Sequence, residues 1–93
     1  MMEPDRIAAR LEALDGWRLS PDGRAILRRF EFKGFAKAVE MANLAAWLGN
    51  RRNHHPDVSF GWGYCEVAFT THDAGGLTDA DFACAARLNE LVA

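Results

Sequence analysis

Residues 24–33 read RAILRRFEFK, and the alternation in this stretch restricts the fold more than any other feature of the chain. Ile26, Phe30 and Phe32 fall on one parity while Arg29, Glu31 and Lys33 take the other, the pattern of a strand with one dry face and one wet face. WRLS and the turn-forming PDG precede it, so residues 17–33 read as strand, turn, strand. A second alternating stretch, DVSFGWGYCEVAFTT at 57–71, predicts another hairpin that turns near Trp62 and Gly63. There Cys65, Val67 and Phe69 point inward against Glu66, Ala68 and Thr70, and Gly63 supplies the turn.

Helical spacing fills the rest. Residues 3–15, EPDRIAARLEALD, place Ile7, Leu11 and Leu14 on one face, with Pro4 in the first turn and Gly16 as the stop. From Phe35 to Leu48 a wide apolar face is expected, made of Phe35, Val39, Met41, Ala42, Leu44, Ala45, Trp47 and Leu48 and closed by Gly49. The last segment, LTDADFACAARLNELVA, has Thr78 as N-cap, Asp81 at the third helical position and Leu77 able to staple to Phe82. Its apolar stripe is Cys84, Ala85, Leu88, Leu91 and Val92. The order αββαββα predicts an α+β fold, one domain over 1–93, with a four-stranded antiparallel sheet covered by helices. No internal repeat, low-complexity segment or linker interrupts it.

Size and charge narrow the function. A chain of 93 residues buries only about 60–65% of the surface it exposes when unfolded, a thin core that a subunit interface could supplement. Eleven Lys+Arg against 13 Asp+Glu give a net charge of −2, too weak a field to gather nucleic acid or an anionic membrane. No apolar run approaches the roughly 20 residues of a membrane span. Cys65 and Cys84 make neither a CxxC pair nor a disulfide framework, and no leader pattern is visible, so the expected compartment is the cytoplasm.

The chain has three histidines, His54 and His55 in NHHP and His72 in THDAGG. Pro56 stiffens the loop after the long helix by driving His55 toward extended geometry, and His72 is expected at a strand end. All three imidazoles could therefore face one space and exchange protons near neutral pH. The competing reading is that loop histidines are common and a pair can be coincidence. Three imidazoles can also hold zinc, but no HExxH, CxxC or Cys/His tetrad accompanies them, so no metal is expected. Asp81 is accounted for by capping alone, and Trp17 most simply by the core, although an indole can wall a flat ring. AGG at 74–76 is too short for a phosphate loop, and Arg51 and Arg52 either face solvent or help hold an anionic group.

Taken together, NHHPDV, the Trp/Tyr-bearing hairpin and TTHDAGGLTDAD resemble the pterin-4a-carbinolamine dehydratase family. GWRLSPDGRAILRRFEFKGF extends the resemblance over nearly the whole chain. It implies a hydro-lyase that dehydrates 4a-hydroxytetrahydropterin to quinonoid dihydropterin, recycling tetrahydrobiopterin after an aromatic amino acid hydroxylase has used it. No metal or organic cofactor is implied, and the expected assembly is a homodimer or homotetramer. By motif matching, His54 and His72 are an acid/base pair, His55 binds or orients beside them, and Asp81 orients or polarises a histidine. Trp17, Pro56 and Thr71 join His55 as expected substrate contacts. The chain departs from the family pattern at Asn50 and Asn53, where an acid is often found, and at Ala80, often arginine. Two alternatives stay open. One is an oligomeric binding protein or coactivator of the same fold; the other is an enzyme acting on another pterin, such as a molybdopterin-related compound.

Overall fold

In the computed structural model, which describes residues 2–93, the elements follow the order α1 (Pro4–Glu12), β1 (Arg18–Leu19), β2 (Ile26–Glu31), α2 (Ala36–Arg52), β3 (Asp57–Gly61), β4 (Tyr64–Phe69) and α3 (Asp79–Val92). One 3-10 turn, His72–Ala74, stands between β4 and α3. The four strands form a single antiparallel sheet in the order β1-β2-β4-β3, so each hairpin contributes one inner and one edge strand. The α+β class and the αββαββα order are as the sequence predicts.

Register explains the core. Ile26 pairs with Phe69, Arg28 with Val67 and Phe30 with Cys65, so the inward parities of both hairpins share one face. Ile26, Cys65, Val67 and Phe69 have no exposed surface. They meet Ala38, Ala45 and Leu48 of α2 and Phe82, Cys84, Ala85 and Leu88 of α3. The opposite face stays wet: Arg18 reaches Glu66 at 3.4 Å, and the Arg29 guanidinium lies 4.3 Å from the Tyr64 ring centre. Burial pushes the Cys65 and Cys84 thiols up from their ordinary value, because the thiolate is penalised there. No helix among the described residues is long and apolar enough to cross a membrane.

Three expectations need correction. The long helix does not close at Gly49 but continues to Arg52. Its stop is Asn53, in the left-handed region at φ 52°, with Asn53 N–H donating to the Asn50 carbonyl (3.3 Å) and His54 N–H to that of Gly49 (3.0 Å), a Schellman pair. Gly49 serves a close approach instead, since a Cβ there would stand 2.5 Å from Pro56 Cδ. The apolar face of α2 is also narrower than its composition suggests. Phe35 and Trp47 are about half exposed, at 51% and 48%. Finally, His72 does not end a strand; it opens the 3-10 turn, which the Thr71–Gly76 bridge closes.

Candidate active site

The two ends of the histidine problem are settled by local backbone. On one side, the Schellman pair reverses the chain after α2 and delivers His54 and His55 side by side, with Pro56 seated on Gly49. On the other, β4 runs out at Phe69, and the Thr71–Gly76 bridge folds His72–Ala74 back as a tight turn with Gly75 at φ 72°. Between them lies a cleft of about 260 Å³ lined by all three histidines together with Asn53, Thr70, Thr71 and Asp73.

The three imidazoles differ in what holds them. The His54 side chain is 18% exposed, and its ring lies nearly parallel to that of Phe69 at 6.1 Å. His54 Nε2 is 2.5 Å from Oδ1 of Asp81, whose side chain has no exposed surface. The other carboxylate oxygen, Oδ2, accepts from the Thr71 hydroxyl and from the Thr78 N–H, each at 2.9 Å. With its one proton given to Asp81, Thr71 Oγ1 accepts from Thr78 Oγ1 at 2.8 Å. Asp81 thus accepts from three directions, and the tautomer that satisfies both groups puts the His54 proton on Nε2. His54 Nδ1 is left without a protein partner among the described residues. His55 is exposed, and its Nε2 lies 3.0 Å from Oδ1 of Asn50 on the last turn of α2. His72 is exposed and makes no protein side-chain hydrogen bond among the described residues.

The expected site residues divide accordingly. His54, His55, His72 and Thr71 line one cleft, and Asp81 lies beneath it. Trp17 and Pro56 are not among the lining residues. The Trp17 indole is only 6% exposed, donates through Nε1–H to Asn89 Oδ1 at 2.8 Å, and tilts against Phe69 at 5.8 Å. The same Phe69 ring also lies against His54, so Trp17 stands behind the cleft rather than in it. Thr70 and Asp73 were not singled out from sequence as site residues. Their signal was adjacency alone, one residue either side of Thr71–His72. Among the described residues, no three His, Cys, Asp or Glu side chains are placed to hold a metal ion.

The family model for pterin 4 alpha carbinolamine dehydratase matches residues 1–91. The chain belongs to this family. A Paracoccus denitrificans relative, provisionally named pterin-4-alpha-carbinolamine dehydratase, is 44% identical over 88 residues, covering 95% of this chain and 82% of its own length. A provisionally named dehydratase of Nitrosospira multiformis is 37% identical over 90 residues, covering 97% of this chain and 78% of its own. The crystal structure of a transcriptional coactivator/pterin dehydratase from Brucella melitensis superposes with a TM-score of 0.87 at 32% identity, covering 99% of this chain and 98% of that one. A pterin dehydratase-like protein described as a RuBisCO assembly factor in the alpha-carboxysome gives a TM-score of 0.65 at 25% identity, over 82% of this chain and 88% of that one. The dehydratase fold therefore spans essentially the whole of this chain, cleft included.

Proposed function

We propose that this family member is an active dehydratase that converts 4a-hydroxytetrahydropterin to quinonoid dihydropterin and water by histidine general acid/base catalysis. The observation that carries the reading is the gathering of every histidine in the chain into one cleft, one of them held by a buried carboxylate. The reaction removes hydroxide from C4a and a proton from N5. One group must protonate the departing oxygen so that it leaves as water, and another must accept the N5 proton as the new C=N bond forms. His54 and His72 take these two roles, since each keeps at least one ring nitrogen with no protein partner among the described residues. Asp81 is a positioning residue: it fixes the His54 tautomer and stabilises the imidazolium, but it lies too deep to touch substrate. His55 orients the ring beside them. The product suits the recycling of tetrahydrobiopterin spent by aromatic amino acid hydroxylases, in the cytoplasm.

Turnover of the 4a-carbinolamine by purified protein tests this. His54→Ala and His72→Ala should each lower it by about 10-fold or more, and the double variant should fall close to background. Full activity in both folded single variants would defeat the assignment. A second reading, an oligomeric binding protein on the same fold, draws on the exposed aromatics Phe35, Trp47, Phe60 and Trp62 and on the coactivator and assembly roles in the names of the two solved relatives. Absence of turnover on any pterin carbinolamine would favour it.

A further inference from the structure

The side chain and the backbone of Thr71 serve different histidines. Its hydroxyl donates to Asp81 Oδ2 at 2.9 Å, on the carboxylate whose other oxygen holds His54 Nε2. Its main chain closes the turn that carries His72. Thr71 N–H donates to the Gly76 carbonyl at 3.1 Å, and the Thr71 carbonyl accepts from Ala74 N–H (3.1 Å) and Gly76 N–H (3.3 Å). A third link sets the direction of the hydroxyl. Because its proton is committed to Asp81, Thr71 Oγ1 takes the Thr78 hydroxyl proton at 2.8 Å, while Thr78 N–H donates to the same Asp81 Oδ2 at 2.9 Å. The Thr71 hydroxyl therefore has no proton left to offer a molecule in the cleft that it lines.

We propose that the Thr71 hydroxyl, rather than touching substrate, positions the two acid/base histidines relative to each other. The proposal rests on the dehydratase reading above. A carboxylate gripped at one oxygen only can turn about its Cβ–Cγ bond. Asp81 Oδ2 has no exposed surface and is gripped from two sides, by the Thr78 amide at the start of α3 and by the Thr71 hydroxyl just past the end of β4, so that Oδ1 is aimed at His54. The Thr78 amide belongs to the same helix end as Asp81 and moves with it. Thr71 braces the carboxylate from the sheet side, and the same residue begins the turn of His72. Two groups that must give and take protons in one step gain from a fixed spacing, and a misplacement of about 1 Å can cost about 100-fold in rate. Thr71 sets that spacing within one residue, its side chain serving one imidazole and its backbone the other.

Thr71→Val removes the hydroxyl while keeping the branched shape and the main-chain bonds of the turn. It is compared with Thr71→Ser and the wild type by turnover of 4a-hydroxytetrahydropterin and by proton NMR of the substrate-free protein, which reads the His54 Hε2 signal. In the wild type that proton is bonded to a buried carboxylate, so it should resonate far downfield and exchange slowly with water. Thr71→Val should lower kcat by about 10-fold with KM within about twofold, and its Hε2 signal should broaden into exchange with water. Thr71→Ser should restore both. An unchanged Hε2 signal in Thr71→Val, or a raised KM with kcat unchanged, would overturn the proposal, as would a serine variant that behaves like the valine one. If Thr71→Val does not fold, Thr71→Ala removes the hydroxyl without setting a second methyl beside the carboxylate and is read by the same criteria. Absence of turnover by the wild-type protein would remove the dehydratase reading alone. The Hε2 signal would then decide: its persistence in Thr71→Val overturns the brace, and its loss there with return in Thr71→Ser upholds it.

Discussion

Asn50 places a neutral amide against His55 at a position where the family pattern often has an acid. Because α2 continues past Gly49, the side chain at 50 is on the helix and within direct reach of the imidazole. A carboxylate there would favour the imidazolium. Asn50→Glu should therefore move the acidic limb of the turnover profile, measured between about pH 5 and 9, to higher pH. Superimposable profiles would mean that His55 contributes no titration to the rate. At this scale the sequence is a partial guide. Its pattern marked position 50 but not which imidazole that side chain meets; the Schellman turn takes the loop off helical spacing and sets Asn50 against His55. Asp81 shows the opposite limit. Capping was legible from Thr78 and Asp81 three residues apart, but the bond to His54 crosses 27 residues and depends on how α2 and α3 pack.

Elements were readable where period and punctuation agree, and misread where one residue type has two uses. Both hairpins kept their parities, since a slip by one residue would have turned Val67 and Phe69 out to solvent. Glycine at 49 looked like a stop because glycines commonly end helices; here it makes room for Pro56. Gly49→Ala tests that directly. In an ordinary helix interior the change should gain up to about 1 kcal/mol, but here Pro56 and the His55 backbone must move, and a net loss of about 1–3 kcal/mol is expected by urea unfolding. Activity should fall with it, because the displaced loop carries His54 and His55. A stability gain would show that the loop yields without strain. Trp17 packs in the core, as its place at the first strand most simply predicts, and does not line the cleft where the family resemblance puts it as a substrate contact; nothing local in GWRLS distinguishes a core indole from one at a pocket wall.

For the molecule as a whole, the exposed aromatics form the largest departure from a self-sufficient fold. Trp62 is 73% exposed at the β3–β4 turn, and Phe35 and Phe60 approach each other at 6.1 Å with about half their surface open. Apolar surface of this kind beside an edge strand favours association, and the protein should run as a dimer or tetramer by light scattering. A monomeric mass at high micromolar concentration would contradict this. The sequence points to assembly through a thin core and through helix faces wider than one sheet covers, and Phe35 and Trp47, about half exposed, are where that excess lies.

The carboxylate that begins α3 is the same one that holds His54. On the dehydratase reading, His54 is therefore held for its work only when the last helix is in place. A chain still emerging, or one whose final segment has come loose, owns all three imidazoles but lacks the carboxylate in the first turn of α3 that orients the first of them. On the dehydratase reading proposed above, activity depends on a docked α3, because Asp81 and the core residues Phe82, Cys84, Ala85 and Leu88 all come from that helix.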